Sequence, residues 1–256
     1  MVDRPAPART ARPWRLAAAP LLAPVLRWLV AVHSVPADQP WRDRCPDCGT
    51  PLPKLGSPAG RCATCRRRLG APPWLVEAAT AAAAALVVVT AVAGSWPAAA
   101  IVALAGWAAV AVALTFVDLA VHRLPDRLTL PAAGWVLGWL AVAAAITGEG
   151  GAWLRALIAA AGCGLGFALI SLLLGARGYG LGDAKLAPSA AALLGWLGWG
   201  AVLAGLFLAF LASGLVALAL LAARRVRWRD SLPFGPFLVA GTLAALAWVS
   251  LSGTTS

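Results

Sequence analysis

The sequence has 256 residues, 61% of them hydrophobic, and a mean hydropathy of +0.81. Soluble domains are about 45–50% apolar, so this composition excludes an ordinary soluble protein and indicates a polytopic membrane protein. The net charge is +11, but Lys and Arg collect in short segments between apolar windows, which favours membrane topology and anionic-lipid contact over nucleic-acid binding.

Apolar windows of helical length follow one another along most of the chain. Alanine and leucine dominate them and strand-like alternation is weak, so they predict an all-α bundle of seven to eight transmembrane helices. We expect three regions: a basic tail with a weak apolar segment at 1–35, a four-cysteine loop at 36–73, and a transmembrane bundle at 74–256. The strong segments are predicted at 74–93, 98–118, 128–147, 153–175, 184–199, 201–222 and 232–251.

The weak apolar segment at 16–35 contains Pro20, Pro24 and Arg27. An arginine in the middle of a spanning helix costs roughly 2.5–3.5 kcal/mol on insertion scales, and prolines interrupt the helical hydrogen bonds. Two interpretations therefore stay open. The segment spans the membrane and places the basic tail outside, or it lies in the interface and leaves the tail inside.

Four cysteines form two C-x2-C knuckles with thirteen residues between them, Cys45 and Cys48 in "CPDC" and Cys62 and Cys65 in "CATC". Two such knuckles can close a tetrahedral four-thiolate site, which predicts structural zinc. The alternative is two disulfides, which a reducing cytoplasm disfavours. A closed site has no open position for substrate, so we expect no zinc catalysis here.

Loops rich in Lys and Arg alternate along the chain with loops that lack them. The cysteine loop and the loops at 119–127, 176–185 and 223–231 are basic, whereas those at 94–97, 148–152 and 198–200 contain no Lys or Arg. The positive-inside rule therefore predicts that the cysteine loop and both loops bearing aspartates face the cytoplasm.

Four carboxylates lie near predicted membrane boundaries, where acids are costly and usually functional. Asp118 ends the apolar run "VAVALTFVD", where a carboxylate opposes the helix dipole. Asp126 follows Pro125 and Asp183 follows alternating glycines, so each could be a helix N-cap. Glu77 could be a first-turn acid that the helix dipole favours.

Asp118 and Asp183 lie on the same predicted side of the membrane and can therefore meet. Two carboxylates that share one proton can activate water for attack on an amide, which predicts an aspartic protease. Gly180 and Gly182 would let the backbone approach the scissile strand, and Lys185 would tune Asp183 or contact lipid phosphate. Two other classes stay open: a proton-coupled transporter that uses the same carboxylates, and a zinc-loop membrane scaffold without catalysis.

Three stretches resemble the type IV prepilin peptidases, the membrane-embedded GxGD aspartic proteases: "FVDLAVHRLPDRLTLP" at 116–131, "GYGLGDAKLA" at 178–187 and "LPFGPFLVAG" at 232–241. The resemblance implies that Asp118 and Asp183, rather than Asp126, are the catalytic pair. It also implies an enzyme of the bacterial cytoplasmic membrane that cleaves the basic leader from type IV prepilins or pseudopilins at the cytoplasmic face.

The cysteine loop is similar to the zinc-binding cytoplasmic domain of the bifunctional members of that family. Those members also methylate the new N-terminus with S-adenosylmethionine. The usual first-helix block of the family, rich in Gly, Ser, Phe and Asn, is not recognisable in 16–40. The resemblance therefore implies the peptidase and leaves the methyltransferase and its cofactor open. Glu77 matches a family carboxylate position.

Overall fold

A computed structural model describes residues 19–36, 39–93, 96–174, 180–227 and 232–252. Gly178 and the basic tail before residue 19 lie outside them. The described residues form helices and no strand, with two isolated β-bridges in the cysteine loop. The helices are α1 Ala19–His33, α2 Leu75–Val92, α3 Ala98–Val121, α4 Asp126–Thr147, α5 Gly150–Leu174, α6 Leu181–Leu197, α7 Trp199–Ala222 and α8 Gly235–Ser252.

Within the described residues, six helices are long and apolar enough to cross a membrane, namely α2, α3, α4, α5, α7 and α8. The predicted fold class, an all-α polytopic membrane protein, is confirmed; the prediction was seven to eight spanning helices, and six of the described helices have the required length. Every helix begins and ends within three residues of its predicted segment. Hydropathy places helices this well because a lipid-exposed backbone must satisfy its hydrogen bonds internally.

The short helix α6 forms the centre of the bundle. Its 17 residues rise about 26 Å, which is less than the ~30 Å hydrocarbon core of a bilayer. Helix α6 packs against α4, α5, α7 and α8, and its residues from 186 to 197 are buried apart from Pro188. A Cβ on Gly195 would lie only 2.8 Å from the Cβ of Ala159 in α5, so these two helices approach closely.

The carbonyl end of α6 is closed by an arginine of α5. The guanidinium of Arg155 donates hydrogen bonds to the carbonyl oxygens of Gly195 at 2.7 Å and Trp196 at 3.0 Å. The last carbonyls of a helix have no partner within the helix, so a buried end needs an external donor. Arg155 supplies that donor for the last carbonyls of α6.

Helix α1 is attached to the bundle by a buried arginine. Arg27 is 2% exposed. Its Nε donates a 2.8 Å hydrogen bond to Glu77 in α2, and its Nη1 donates a 3.1 Å bond to the carbonyl of Ala71. The pair removes the cost of a lipid-facing arginine that made this segment ambiguous. Pro24 lies inside α1 without ending it.

Candidate active site and metal centre

Asp118 lies in the last turn of α3, which continues to Val121 rather than ending at the aspartate. His122 adopts a left-handed conformation and donates its N–H to the carbonyl of Asp118 at 2.8 Å, which closes the helix. The Asp118 side chain is 4% exposed. Its Oδ2 accepts a 3.1 Å hydrogen bond from the backbone N–H of Gly235 at the start of α8.

Asp183 lies in the first turn of α6 and is 6% exposed. Gly180 is the N-cap residue of this helix, and its carbonyl accepts the Asp183 N–H at 2.9 Å. The N-cap interpretation of Asp183 is therefore wrong. It is also wrong for Asp126, because α4 begins at Asp126 and its N-cap residue is Pro125. An aspartate N-cap would place the helix start one residue after it; α4 begins one residue earlier than this, and α6 begins three residues earlier.

The structure brings the two aspartates to one end of the bundle, where glycines beside each of them pack against Leu124. Leu124, in the loop after α3, packs between the start of α6, which carries Asp183, and the start of α8, which contacts Asp118. A Cβ on Gly182 would lie 3.1 Å from the Cβ of Leu124, and a Cβ on Gly235 would lie 3.5 Å from its Cδ1. We call this part of the bundle the aspartate end.

The glycines of the aspartate end differ in how much space surrounds them. A Cβ on Gly235 would lie 2.7 Å from Asp118 Oδ2, and one on Gly182 would press on Leu124. Among the residues that the structure describes, a Cβ on Gly180 would find no atom closer than 3.8 Å. Close packing thus requires Gly235 and Gly182, whereas the backbone at Gly180 stays accessible. The sequence analysis did not single out Gly235, although its "FGP" context marks a helix start.

Lys185 lies near Asp183 in sequence, but its ammonium forms an ion pair with Asp126 instead. Both side chains of this pair are partly exposed. Asp126 is the first residue of α4, so the contact joins the beginnings of α4 and α6. The predicted partners of Lys185 were Asp183 and a lipid phosphate, so its pairing with Asp126 was not expected.

The four predicted metal ligands form one cluster. The Sγ atoms of Cys45, Cys48, Cys62 and Cys65 all lie within 4.8 Å of one another. The Sγ atoms are 3.5 Å apart for Cys45 and Cys65 and 3.6 Å apart for Cys48 and Cys62. Tetrahedral zinc with Zn–S bonds of about 2.3 Å needs sulfurs about 3.8 Å apart. The cysteines are free thiols rather than disulfides, so the donor set fits a metal ion.

The two knuckles have the same local structure. Cys45 N–H bonds to the carbonyl of Thr50, and Cys62 N–H bonds to the carbonyl of Arg67, both at 2.8 Å. Each knuckle has a left-handed residue four positions after its first cysteine, a glycine in one case and Arg66 in the other. Hydrogen bonds with Thr50 lower the pKa of the Cys48 thiol to about 6. At Cys65 a backbone hydrogen bond from Arg67 lowers the pKa, but desolvation and bonds with the other cysteines raise it to about 12. The thiolate, which is the form that binds metal, is therefore favoured at Cys48 but not at Cys65.

The fold and these two centres define a class: a membrane-embedded helical bundle with two aspartates buried at one end and a four-thiolate cluster. Residues 102–221 match the type IV leader peptidase family. The chain is 38% identical over 217 residues to the prepilin leader peptidase/N-methyltransferase of Burkholderia pseudomallei (strain K96243), with 80% of this chain and 66% of the relative covered. It is 34% identical over 219 residues to the proteins of that name from Aeromonas salmonicida and Aeromonas hydrophila, with 81% of this chain and 71% of each relative covered.

This chain belongs to the type IV leader peptidase family. It spans just under two thirds of the length of the Burkholderia relatives. No solved structure is significantly similar to it.

Proposed function

We propose that this protein is a leader peptidase that hydrolyses the bond between the basic leader and the apolar helix of type IV prepilins or pseudopilins. The proposal rests mainly on Asp118 and Asp183, which come from separate helices and are both buried at the same end of the bundle. Buried carboxylates at a membrane face are costly, which favours a functional role. The names of the curated relatives support the same reaction.

The dyad would act by general acid–base catalysis. Two neighbouring buried carboxylates hold one proton between them. The N–H of Gly235 stabilises negative charge on Asp118, so Asp118 is the base that takes a proton from the attacking water. Asp183 donates its proton to the carbonyl oxygen as the tetrahedral intermediate forms. Asp118 then passes its proton to the amide nitrogen, and Asp183 takes a proton back from a hydroxyl of the intermediate. The C–N bond breaks, and one proton is again held by the pair.

The scissile strand would approach the dyad over Gly180. This residue is exposed, and no described residue crowds its Cα, whereas Gly182 and Gly235 are packed against other groups. A peptide backbone can therefore come close to the start of α6 without meeting a side chain. The apolar part of the substrate would lie in the bilayer beside the bundle, and its leader would extend into the cytoplasm.

We place the protein in the bacterial cytoplasmic membrane, with the aspartate end and the cysteine loop on the cytoplasmic side. The alternation of basic loops supports this orientation. In this arrangement residues 74–256 form the peptidase bundle, and residues 36–73 form a zinc-stabilised loop domain. Zinc would be held by Cys45, Cys48, Cys62 and Cys65, and it would supply folding free energy to a loop too small for a large core.

Methylation is not part of the proposal. A cavity of about 410 Å³ lies between α1 and the cysteine loop, and its lining among the described residues includes Arg27, Arg61 and Arg66 but no carboxylate. S-adenosylmethionine carries a sulfonium cation and a ribose, whose hydroxyls are commonly bound by an acidic residue. The lining therefore does not fit this cofactor.

The transporter alternative has less support from the helix interiors. A proton pathway needs a chain of ionisable groups across the membrane. In the described parts of the spanning helices, Asp118 is the one ionisable side chain that is buried. The buried hydroxyls of Thr80, Ser171 and Thr242 donate to carbonyls of their own helices, which makes them poor relay groups. A scaffold without catalysis would leave the two buried carboxylates without a role.

The test is cleavage of a synthetic prepilin-like peptide by the purified protein in proteoliposomes made in water enriched in oxygen-18. Direct attack by water predicts one labelled oxygen in the new carboxylate of the leader, at the junction with the apolar helix. Mass spectrometry gives both the site and the label. An intact peptide, combined with proton flux that depends on Asp118, would instead support the transporter.

A further inference from the structure

We propose that Asp126 and Lys185 form a positioning pair that sets the placement of Asp118 relative to Asp183. This inference rests on the proposed peptidase function. The ion pair joins the first residue of α4 to the first turns of α6. It lies beside the dyad without including either catalytic carboxylate.

The direction of the Lys185 side chain indicates how it acts. Lys185 follows Asp183 by two residues, and two residues of an α-helix correspond to a rotation of about 200° around its axis. The two side chains therefore leave opposite sides of α6, and Lys185 reaches α4 while Asp183 faces α3. Pairing Lys185 with Asp126 holds the backbone of the first turns of α6, and thereby the Cα of Asp183, against α4.

The loop between α3 and α4 transmits this restraint to Asp118. Only residues 122–125 separate the two helices, and they include the left-handed His122 and the rigid Pro125. Leu124 in the same loop packs against Gly182. The ion pair and this apolar contact thus hold the loop to α6 at two points, one on each side of Asp183 in sequence.

The neighbouring cation of the loop is engaged elsewhere. The guanidinium of Arg123 lies 4.5 Å from the ring centroid of Trp41 and donates a 3.1 Å hydrogen bond to the carbonyl of Pro36. Arg123 therefore attaches the loop to the polypeptide at the start of the cysteine loop. Arg123 thus ties one side of the loop to the cysteine loop, whereas Asp126, at the other side, ties it to Lys185 of α6.

A positioning role predicts a specific kinetic signature. Exposed ion pairs contribute little to global stability, whereas a small displacement of catalytic groups can cost up to about 100-fold in rate. Asp126→Asn and Lys185→Gln should each lower kcat about tenfold, with KM within twofold and an unchanged unfolding temperature. Lys185→Arg keeps the pair and should keep most of kcat.

The decisive variant exchanges the charges, combining Asp126→Lys with Lys185→Asp. A restored pair should return kcat to within about threefold of the wild type. If the two tenfold losses were independent, kcat would instead fall by their product, about a hundredfold. Glu149→Gln and Arg225→Gln serve as matched controls, because each removes one exposed charge of the same sign away from the pair. Both controls should match the wild type.

Three outcomes overturn the inference while leaving the peptidase intact: full kcat in both single variants, losses in the exchanged protein that multiply, or equal losses in the controls. If the exchanged protein is not folded, failure of Lys185→Arg to retain kcat overturns it instead. Failure of the proposed function looks different, because cleavage would then survive in Asp118→Asn or be absent from the wild type.

Discussion

Replacing Gly235 with alanine should disable the dyad without unfolding the protein. The added Cβ would lie 2.7 Å from Asp118 Oδ2 and 3.3 Å from its Cγ. Contacts under 3.0 Å are not tolerated, so the carboxylate must turn away or α8 must shift. Either movement breaks the 3.1 Å hydrogen bond that Gly235 donates to Asp118.

The size of the effect follows from that hydrogen bond. A hydrogen bond to a charged group is worth about 1.5–3 kcal/mol, and each 1.4 kcal/mol changes a rate about tenfold. If the bond supports the reactive form of Asp118, Gly235→Ala should lower kcat between about tenfold and a hundredfold. Gly182→Ala should lose less, because its nearest contact would be 3.1 Å from an apolar side chain.

The assay compares leader cleavage by Gly235→Ala, Gly182→Ala, Gly180→Ala and Gly134→Ala. A Cβ on Gly134 in α4 would meet nothing within 4 Å, and one on Gly180 would meet nothing within 3.8 Å. Gly134→Ala should match the wild type, and Gly180→Ala should at most weaken substrate binding. Wild-type kcat in Gly235→Ala would refute the reasoning, as would an equal loss at Gly134.

Three further predictions concern stability and metal. Glu77→Gln leaves the buried Arg27 without a counter-charge, and removal of one partner of a buried pair costs about 3–5 kcal/mol. Its unfolding temperature in detergent should therefore fall. The double variant Arg27→Met with Glu77→Leu removes both charges and should largely avoid that fall. Arg66→Gly should stabilise the second knuckle by about 1 kcal/mol, since a non-glycine residue is strained in the left-handed region, and chelator titration should report slower metal loss. Elemental analysis should give about one zinc per chain, and its removal should open the cysteine loop to protease while the helical circular dichroism persists.

The helices and the metal cluster were accessible from the sequence because each depends on a local pattern. Apolar windows specify spanning helices since lipid imposes the same requirement everywhere along the chain. The paired C-x2-C spacing specifies the cluster because two thiolates three residues apart can bind one ion. Asp118 stood out because an acid at the end of an apolar run is uncommon. The choice of Asp183 rather than Asp126 as its partner came from the resemblance and not from a local pattern.

The polar contacts between helices could not be predicted in the same way. Arg27 and Glu77 are 50 residues apart, and Lys185 and Asp126 are 59 apart. Hydropathy says which residues lie in helices and nothing about which helices are neighbours. Arg27 was therefore counted as a cost to insertion, although a partner in another helix neutralises it. The cap interpretation of Asp126 failed because the helix starts one residue earlier than the pattern suggested.

The most direct test of the dyad compares Asp118→Asn and Asp183→Asn with the wild type in the cleavage assay. Asparagine has nearly the size and shape of aspartate, so both variants should keep the helical circular dichroism and unfolding temperature. The account predicts that each variant loses at least about 1,000-fold in kcat, because neither can share or transfer the proton. Cleavage within tenfold of the wild type by either variant, at full folded yield, would contradict it.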